Sequence, residues 1–216
     1  MSVPVPAELQ SAQARFARPD ALEFIRGARA PKGTRRAAVL ILLSEGAEGY
    51  DLVLIEKRPD LRSHAGQVAF PGGRIESTDV DPVAAALREA NEEVGVDPST
   101  VAVLGVLPAA HIPRSGFDVT SVVGWWGDPE PLVPVDLGEI AAVHQVSVAS
   151  LLDPANRGTW VHPGGFSGPV FLLGDLYIWG FTAYLLDGMF DLLGWTLPWD
   201  ETRTSGIPPR FLSERL

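Results

Sequence analysis

The stretch from Asp81 to Gly95 constrains this chain more than any other. Asp81 suits a helix N-cap, Pro82 suits the first helical position, and Gly95 suits a left-handed stop. Together they predict a helix over 82–94, about 20 Å long at 1.5 Å per residue. At about 100° per residue, Val83, Leu87, Ala90 and Val94 fall within about 60° of one another and predict the buried stripe. Glu89, Glu92 and Glu93 fall on an arc of about 100° on the opposite side. Local physics disfavours that cluster. Each like-charge neighbour at three or four residues costs roughly 0.2–0.5 kcal/mol, and the C-terminal half of a helix prefers cations. Along the helix only Arg88, four residues before Glu92, offsets three carboxylates. A hard divalent cation would relieve the repulsion, because Mg²⁺ combines one or two carboxylates with waters and substrate phosphates. A solvated acidic face is the alternative at this level.

The rest of the chain frames that helix. Its 216 residues suit one domain, and 46% hydrophobic with 20% charged residues is a globular composition. The absence of cysteine excludes disulfides, thiolate catalysis and cysteine-held zinc. The four histidines show no zinc spacing, and neither a P-loop nor a Gly-x-Ser-x-Gly elbow occurs. The formal net charge is −10, although residues 1–36 are net basic. An acidic body argues against broad nucleic-acid binding, but not against a phosphorylated substrate held by local cations or by metal ions on carboxylates. Ala37 to Leu43 reads as a buried strand and Asp51 to Glu56 as its hairpin partner. A polar loop, Arg58 to Gly66, and a short strand, Gln67 to Phe70, lead to a turn at Pro71-Gly72-Gly73. Strands are expected at Val101–Leu107, Val119–Trp125 and around Phe171–Leu173 and Tyr177. Ile178 to Leu186 has helical character, and Glu139–Leu152 carries both strand and helix patterns. We expect an N-terminal arm with one helix (1–35), a central domain (36–197) and a polar, proline-bearing tail at the surface (198–216).

The segment Gly73-Arg74-Ile75-Glu76-Ser77-Thr78-Asp79 through Arg88-Glu89-Ala90-Asn91-Glu92-Glu93-Val94-Gly95-Val96 resembles the Nudix box. All of the box's second half is present. The first half has one extra residue between Gly73 and Arg88, and Asp79 stands where glutamate is usual. Upstream, Leu54-Ile55-Glu56-Lys57-Arg58 precedes Leu61-Arg62, His64, Gly66 and Phe70-Pro71-Gly72-Gly73. That spacing looks like the signature of the coenzyme A pyrophosphatase branch of Nudix hydrolases. Gly116-Phe117-Asp118-Val119-Thr120 and Ile178-Trp179-Gly180-Phe181-Thr182-Ala183 are weaker echoes.

The resemblance implies an α+β Nudix fold, a mixed curved sheet between helices. It implies metal-dependent hydrolysis of the diphosphate of coenzyme A or its thioesters to 3′,5′-ADP and 4′-(acyl)phosphopantetheine, with Mg²⁺ or Mn²⁺ as cofactor. The implied metal ligands are Glu89, Glu93 and Glu92. Glu92 is also a candidate proton acceptor, and Arg88 holds a helix glutamate in place or simply pairs with Glu92. Glu139 is a candidate for a late-loop acid. Substrate contacts are expected from Arg62, Gly66, Phe70, Gly72 and Gly73; an ordinary turn is the alternative for the glycines, a surface position for Arg62, and core packing for Phe70. Hydrolysis of another nucleoside diphosphate such as ADP-ribose or NADH is the alternative activity, and a non-catalytic nucleotide sensor is the third. The expected partners are a nucleoside diphosphate, first coenzyme A, and a second copy of the chain as a homodimer. Neither nucleic acid nor membrane is expected, and the expected location is the cytoplasm.

Overall fold

The structure is a computed structural model that describes residues 3–33, 35–113, 115–127 and 129–212. The ends of the expected arm and tail, residues 1–2 and 213–216, lie outside them. The expected hairpin is present as β1 (Arg36–Gly46) and β2 (Gly49–Lys57). Each strand alternates with period two. Ala38, Leu40, Leu42, Val53 and Ile55 face one side of the sheet, while Ile41, Leu43, Leu52 and Leu54 face the other. Both faces are apolar because both are covered.

The two strands stay paired only from Leu43↔Leu52 to Gly46↔Gly49 at the turn, then diverge. The segment that follows the polar loop fills the gap. β3 (Val68–Ala69) pairs with β2, and β4 (Gly72–Arg74) pairs with β1. Pro71-Gly72-Gly73 therefore leads into an inserted strand, which corrects the turn expected there. Leu40 N–H donates to the Pro71 carbonyl at 2.8 Å at this junction. Beyond β1 the sheet continues with β5 (Val101–Val106), β6 (Ala110–Ile112) and β7 (Phe117–Trp126). β7 runs parallel to β1 over nine residue pairs, and β5 and β6 pair antiparallel with β7. The ambiguous stretch resolves in series into β8 (Ile140–Ser147), on the outer edge of β2, and α3 (Val148–Leu152).

The helix over 82–94 is present as α2 (Pro82–Val94). The Asp81 carboxylate accepts from Ala84 N, and Gly95 has φ 77°. α2 covers the sheet face of Leu40, Leu42, Val53 and Ile55 with Ala85, Ala86, Ala90 and Val94. The opposite face is covered by α1 (Ala7–Phe16) through Leu9 and Phe16, and by α4 (Gly180–Leu193) through Leu185, Leu186, Met189 and Phe190. The result is a mixed sheet between helices, the α+β arrangement expected.

A second sheet orders β11 (Leu176–Ile178), β10 (Ser167–Leu173), β9 (Arg157–Val161) and β12 (Thr204–Gly206). Here the tail departs from the surface segment expected. β12 lies parallel to β9, and α5 (Pro209–Leu212) buries Phe211 against Tyr177 and Trp179. Trp199 lies over the buried Arg157 guanidinium at 4.6 Å, and that guanidinium is paired with Asp187. Proline and polar residues hid this packing, because Ile207 and Phe211 are too far apart in sequence to make a periodic signal.

Phe211 is 1% exposed, so Phe211→Ala is expected to cost about 3–5 kcal/mol in urea unfolding. Leu212→Ala, at a 38% exposed neighbour, should change stability by about 0.5 kcal/mol or less. Equal effects of the two would contradict the packed tail.

Candidate active site

Insertion of β4 beside β1 brings the Gly72–Gly73 backbone against the C-terminal half of α2. At Gly72 the close pairing with β1 leaves no room for a side chain. Gly72 has φ 151°, and a Cβ there would strike Ala38 O. A Cβ on Gly73 would lie 2.7 Å from the Glu89 carboxyl carbon. Glu89 and Glu93, one turn apart, thus rest on consecutive glycines. Gly72 N–H donates to Glu93 Oε2 at 2.8 Å. In this structure the Gly72 amide serves a glutamate instead of facing outward toward a phosphate.

The buried face of α2 is turned toward the glutamates relative to the expected stripe. Val83 and Leu87 are only half-buried, while Ala85 and Ala86 are fully buried and Glu93 is 4% exposed. Glu93 is therefore a sheet-facing residue, which corrects its placement on the solvent side. Burial is tolerated because both oxygens have partners. Lys57 Nζ, at the end of β2, lies 2.8 Å from Glu93 Oε1. The same ammonium lies 2.6 Å from Glu139 Oε1. A register irregularity between Glu56 and Lys57 sets Lys57 opposite Ile140, next to Glu139. The structure thus connects Glu139 to the helix glutamates through a residue absent from the candidate set. The alternation along β2 held the signal, since Lys57 continues the Val53, Ile55 face that packs on α2.

Arg88 organises the other carboxylates. Its fork meets Asp79 with Nε–Oδ1 and Nη2–Oδ2 both at 3.0 Å. Nη1 donates to Glu89 Oε1 and Glu92 Oε2, each at 3.0 Å, and Nη2 also donates to the Arg74 carbonyl. Both alternatives for Arg88 hold together: it pairs with Glu92 and holds Glu89. Asp79 takes a definite role here, closing the loop by also accepting from Glu76 N at 2.7 Å. Glu92 stays 56% exposed at its side chain.

These contacts set the electrostatics. Burial pushes the Glu93 carboxyl above its ordinary value, with Lys57 acting against the rise. Burial likewise raises Glu89, and Arg88 opposes it. Burial pulls the Lys57 ammonium down, but Glu93 and Glu139 outweigh that, leaving it raised. The Arg88 fork holds Asp79 below the usual carboxylate range. The repulsion expected in the acidic cluster is offset from within the fold, by Lys57 and Arg88. Among the described residues, no three His, Cys, Asp or Glu side chains form a ready-made metal cage. The donor chemistry still suits a hard cation. Glu89 and Glu93 offer carboxylates on adjacent turns beside an exposed Glu92, and Mg²⁺ takes few protein ligands when waters and phosphates supply the rest.

The remaining candidates lie around this centre. Arg62 is exposed in the loop between β2 and β3, which is tied at its base by Gly66 N–Arg58 O and Lys57 N–Gln67 O. Among the described residues no carboxylate pairs with Arg62, whereas Asp60 occupies the fork of Arg58. Gly66 adopts φ 64° at the end of that loop. Phe70 is 3% exposed within the core, so its ring packs the sheet and does not form a platform open to a ligand.

Residues 33–163 match the sequence profile of the NUDIX domain. An Escherichia coli protein described as "Uncharacterized Nudix hydrolase NudL" is 39% identical over 161 residues, covering 70% of this chain and 79% of its own length. A Klebsiella pneumoniae protein of the same description is 38% identical over the same coverage. Among solved structures, a "Nudix Hydrolase from M. Smegmatis, RenU" superposes with a TM-score of 0.53 at 18% identity, covering 82% of this chain and 99% of that one. That likeness bears on the fold.

The depressed Asp79 value has a stability consequence. Above the ordinary aspartate pKa, near 4, its ion pair contributes fully; as pH falls through the lower folded value, that contribution is lost. Asp79→Asn is expected to lower stability near pH 7, because the Arg88 fork loses its charged partner. The difference from the parent protein, compared between pH 7 and an acid pH, should shrink as pH falls below the ordinary aspartate value. Thermal melts at both pH values test this, and a deficit that persists at acid pH would assign the loss to packing.

Proposed function

This chain belongs to the Nudix hydrolase family, whose members cleave diphosphate linkages, and from that premise we propose that its substrate is coenzyme A or a coenzyme A thioester. The products are 3′,5′-ADP and 4′-(acyl)phosphopantetheine, and the cofactor is Mg²⁺ or Mn²⁺. The observation that carries the choice of substrate is Arg62. It belongs to the upstream signature, and its guanidinium is exposed and unpaired among the described residues on a loop tied beside Lys57. Coenzyme A carries a 3′-phosphate besides its diphosphate, and a guanidinium fork suits a phosphate.

The remaining roles follow from the contacts. Glu89, Glu93 and Glu92 would hold a divalent cation, which would supply charge neutralisation at the diphosphate and acidify water. Glu93 is oriented for that task by Gly72 N, and Glu89 by Arg88. Arg88 is a positioning residue, held in turn by Asp79. Glu92, exposed on the same helix face, accepts the proton as a water oxygen attacks phosphorus and the bridging P–O bond breaks. Glu139 contributes through Lys57.

Incubation of the protein with Mg²⁺ or Mn²⁺ and coenzyme A should give the two products in equal amounts by chromatography. Cleavage of ADP-ribose or NADH with coenzyme A left intact would overturn the substrate. Glu89→Gln is expected to lower turnover by at least about 10²-fold. Arg62→Ala should reduce coenzyme A hydrolysis more than ADP-ribose hydrolysis, and equal losses would make Arg62 structural.

A further inference from the structure

Lys57 is oddly placed for a residue of a cation-dependent centre. Its ammonium is 11% exposed and sits 2.8 Å from Glu93 Oε1, the oxygen that Gly72 leaves available. Glu93 can offer that oxygen fully to another cation only if the ammonium gives way. A way out exists, because the second partner, Glu139, is 48% exposed and lies 2.6 Å from the same nitrogen. A four-carbon stem lets the ammonium follow Glu139 outward without moving β2. The Gly72 bond keeps Glu93 oriented meanwhile.

We propose that Lys57 is an exchangeable internal counter-ion: it holds the Glu93 seat in the metal-free protein and is displaced toward Glu139 when a divalent cation binds. The inference rests on the divalent-cation part of the proposed function and not on the choice of substrate. It makes Lys57 a positioning residue. Lys57 stabilises a buried carboxylate that would otherwise be uncompensated, and it sets the cation affinity by competing for one oxygen. A purely orienting lysine would act with the opposite sign, since its loss would free Glu93 to turn away and weaken cation binding.

The test uses Mn²⁺ alone, without substrate, at about pH 8, where protons compete little. Lys57→Met is expected to bind Mn²⁺ about tenfold or more tightly than the parent protein in calorimetric titration. The variant should melt at lower temperature without metal and gain more from added Mn²⁺. Lys57→Arg should bind close to the parent affinity.

A second measurement needs no variant. The chain has two lysines, Lys32 and Lys57, and Lys32 is exposed. Reductive methylation read by mass spectrometry should show Lys57 slow relative to Lys32 without metal and several-fold faster with saturating Mn²⁺. Unchanged or weaker Mn²⁺ binding by Lys57→Met would overturn the exchange. So would Lys57 reactivity indifferent to Mn²⁺. Failure of the parent protein to bind Mn²⁺ at all would overturn both this inference and the divalent-cation reading. An altered Lys57 response with coenzyme A left uncleaved would overturn only the substrate.

Discussion

Two glutamates on one helix turn lie against two consecutive glycines, where β1 leaves no room for a side chain on Gly72 and the Glu89 carboxylate fills the space beside Gly73. That close approach, Gly72 beneath Glu93 and Gly73 beneath Glu89, is the constraint from which the site follows. It requires the hairpin strands to diverge so that the segment Val68–Arg74 can enter between them. It also requires α2 to present alanines, since Ala85, Ala86 and Ala90 let the helix sit low on Leu40, Leu42 and Ile55. Larger side chains would lift the helix and take the carboxylates off the glycines.

Placing carboxylates there has an electrostatic consequence that the fold handles in two separate ways. Arg88, on the helix itself, spreads one charge over Asp79, Glu89 and Glu92. Lys57, from the sheet, meets Glu93 and Glu139. The first arrangement is local and joins the loop before the helix to the helix. The second is long-range and joins β2, α2 and the segment before β8. Raised carboxyls at Glu89 and Glu93 show that these cations do not fully compensate burial. Burial of ionisable carboxylates is the kind of local cost that often marks functional positions.

Covering both faces of the sheet also bears on how the chain ends are used. Leu9 and Phe16 of α1 are completely buried under the sheet, and Phe211 is buried under the second sheet. Segments near both ends of the described chain thus help form the core around the domain that carries the site. Among the described residues, no helix is long and apolar enough to cross a membrane.

The sequence by itself determined the pieces whose causes are local. Asp81, Pro82 and Gly95 bounded the helix, because capping and left-handed stops act over one turn. Alternation along β1 and β2 identified the hairpin, and the spacing of Gly73, Arg88, Glu89, Glu92 and Glu93 identified the family. Tertiary structure decided what depends on residues distant in the chain. A helical wheel built from Val83, Leu87, Ala90 and Val94 placed Glu93 in solvent, because the wheel scores hydrophobicity and is blind to an ammonium arriving from another strand. The Gly-Gly pair read as a turn, since a three-residue strand is too short to alternate. Lys57 stood in the upstream signature without a role for the same reason that it matters: its partners are 36 and 82 residues away, and only the folded sheet brings them within hydrogen-bonding distance.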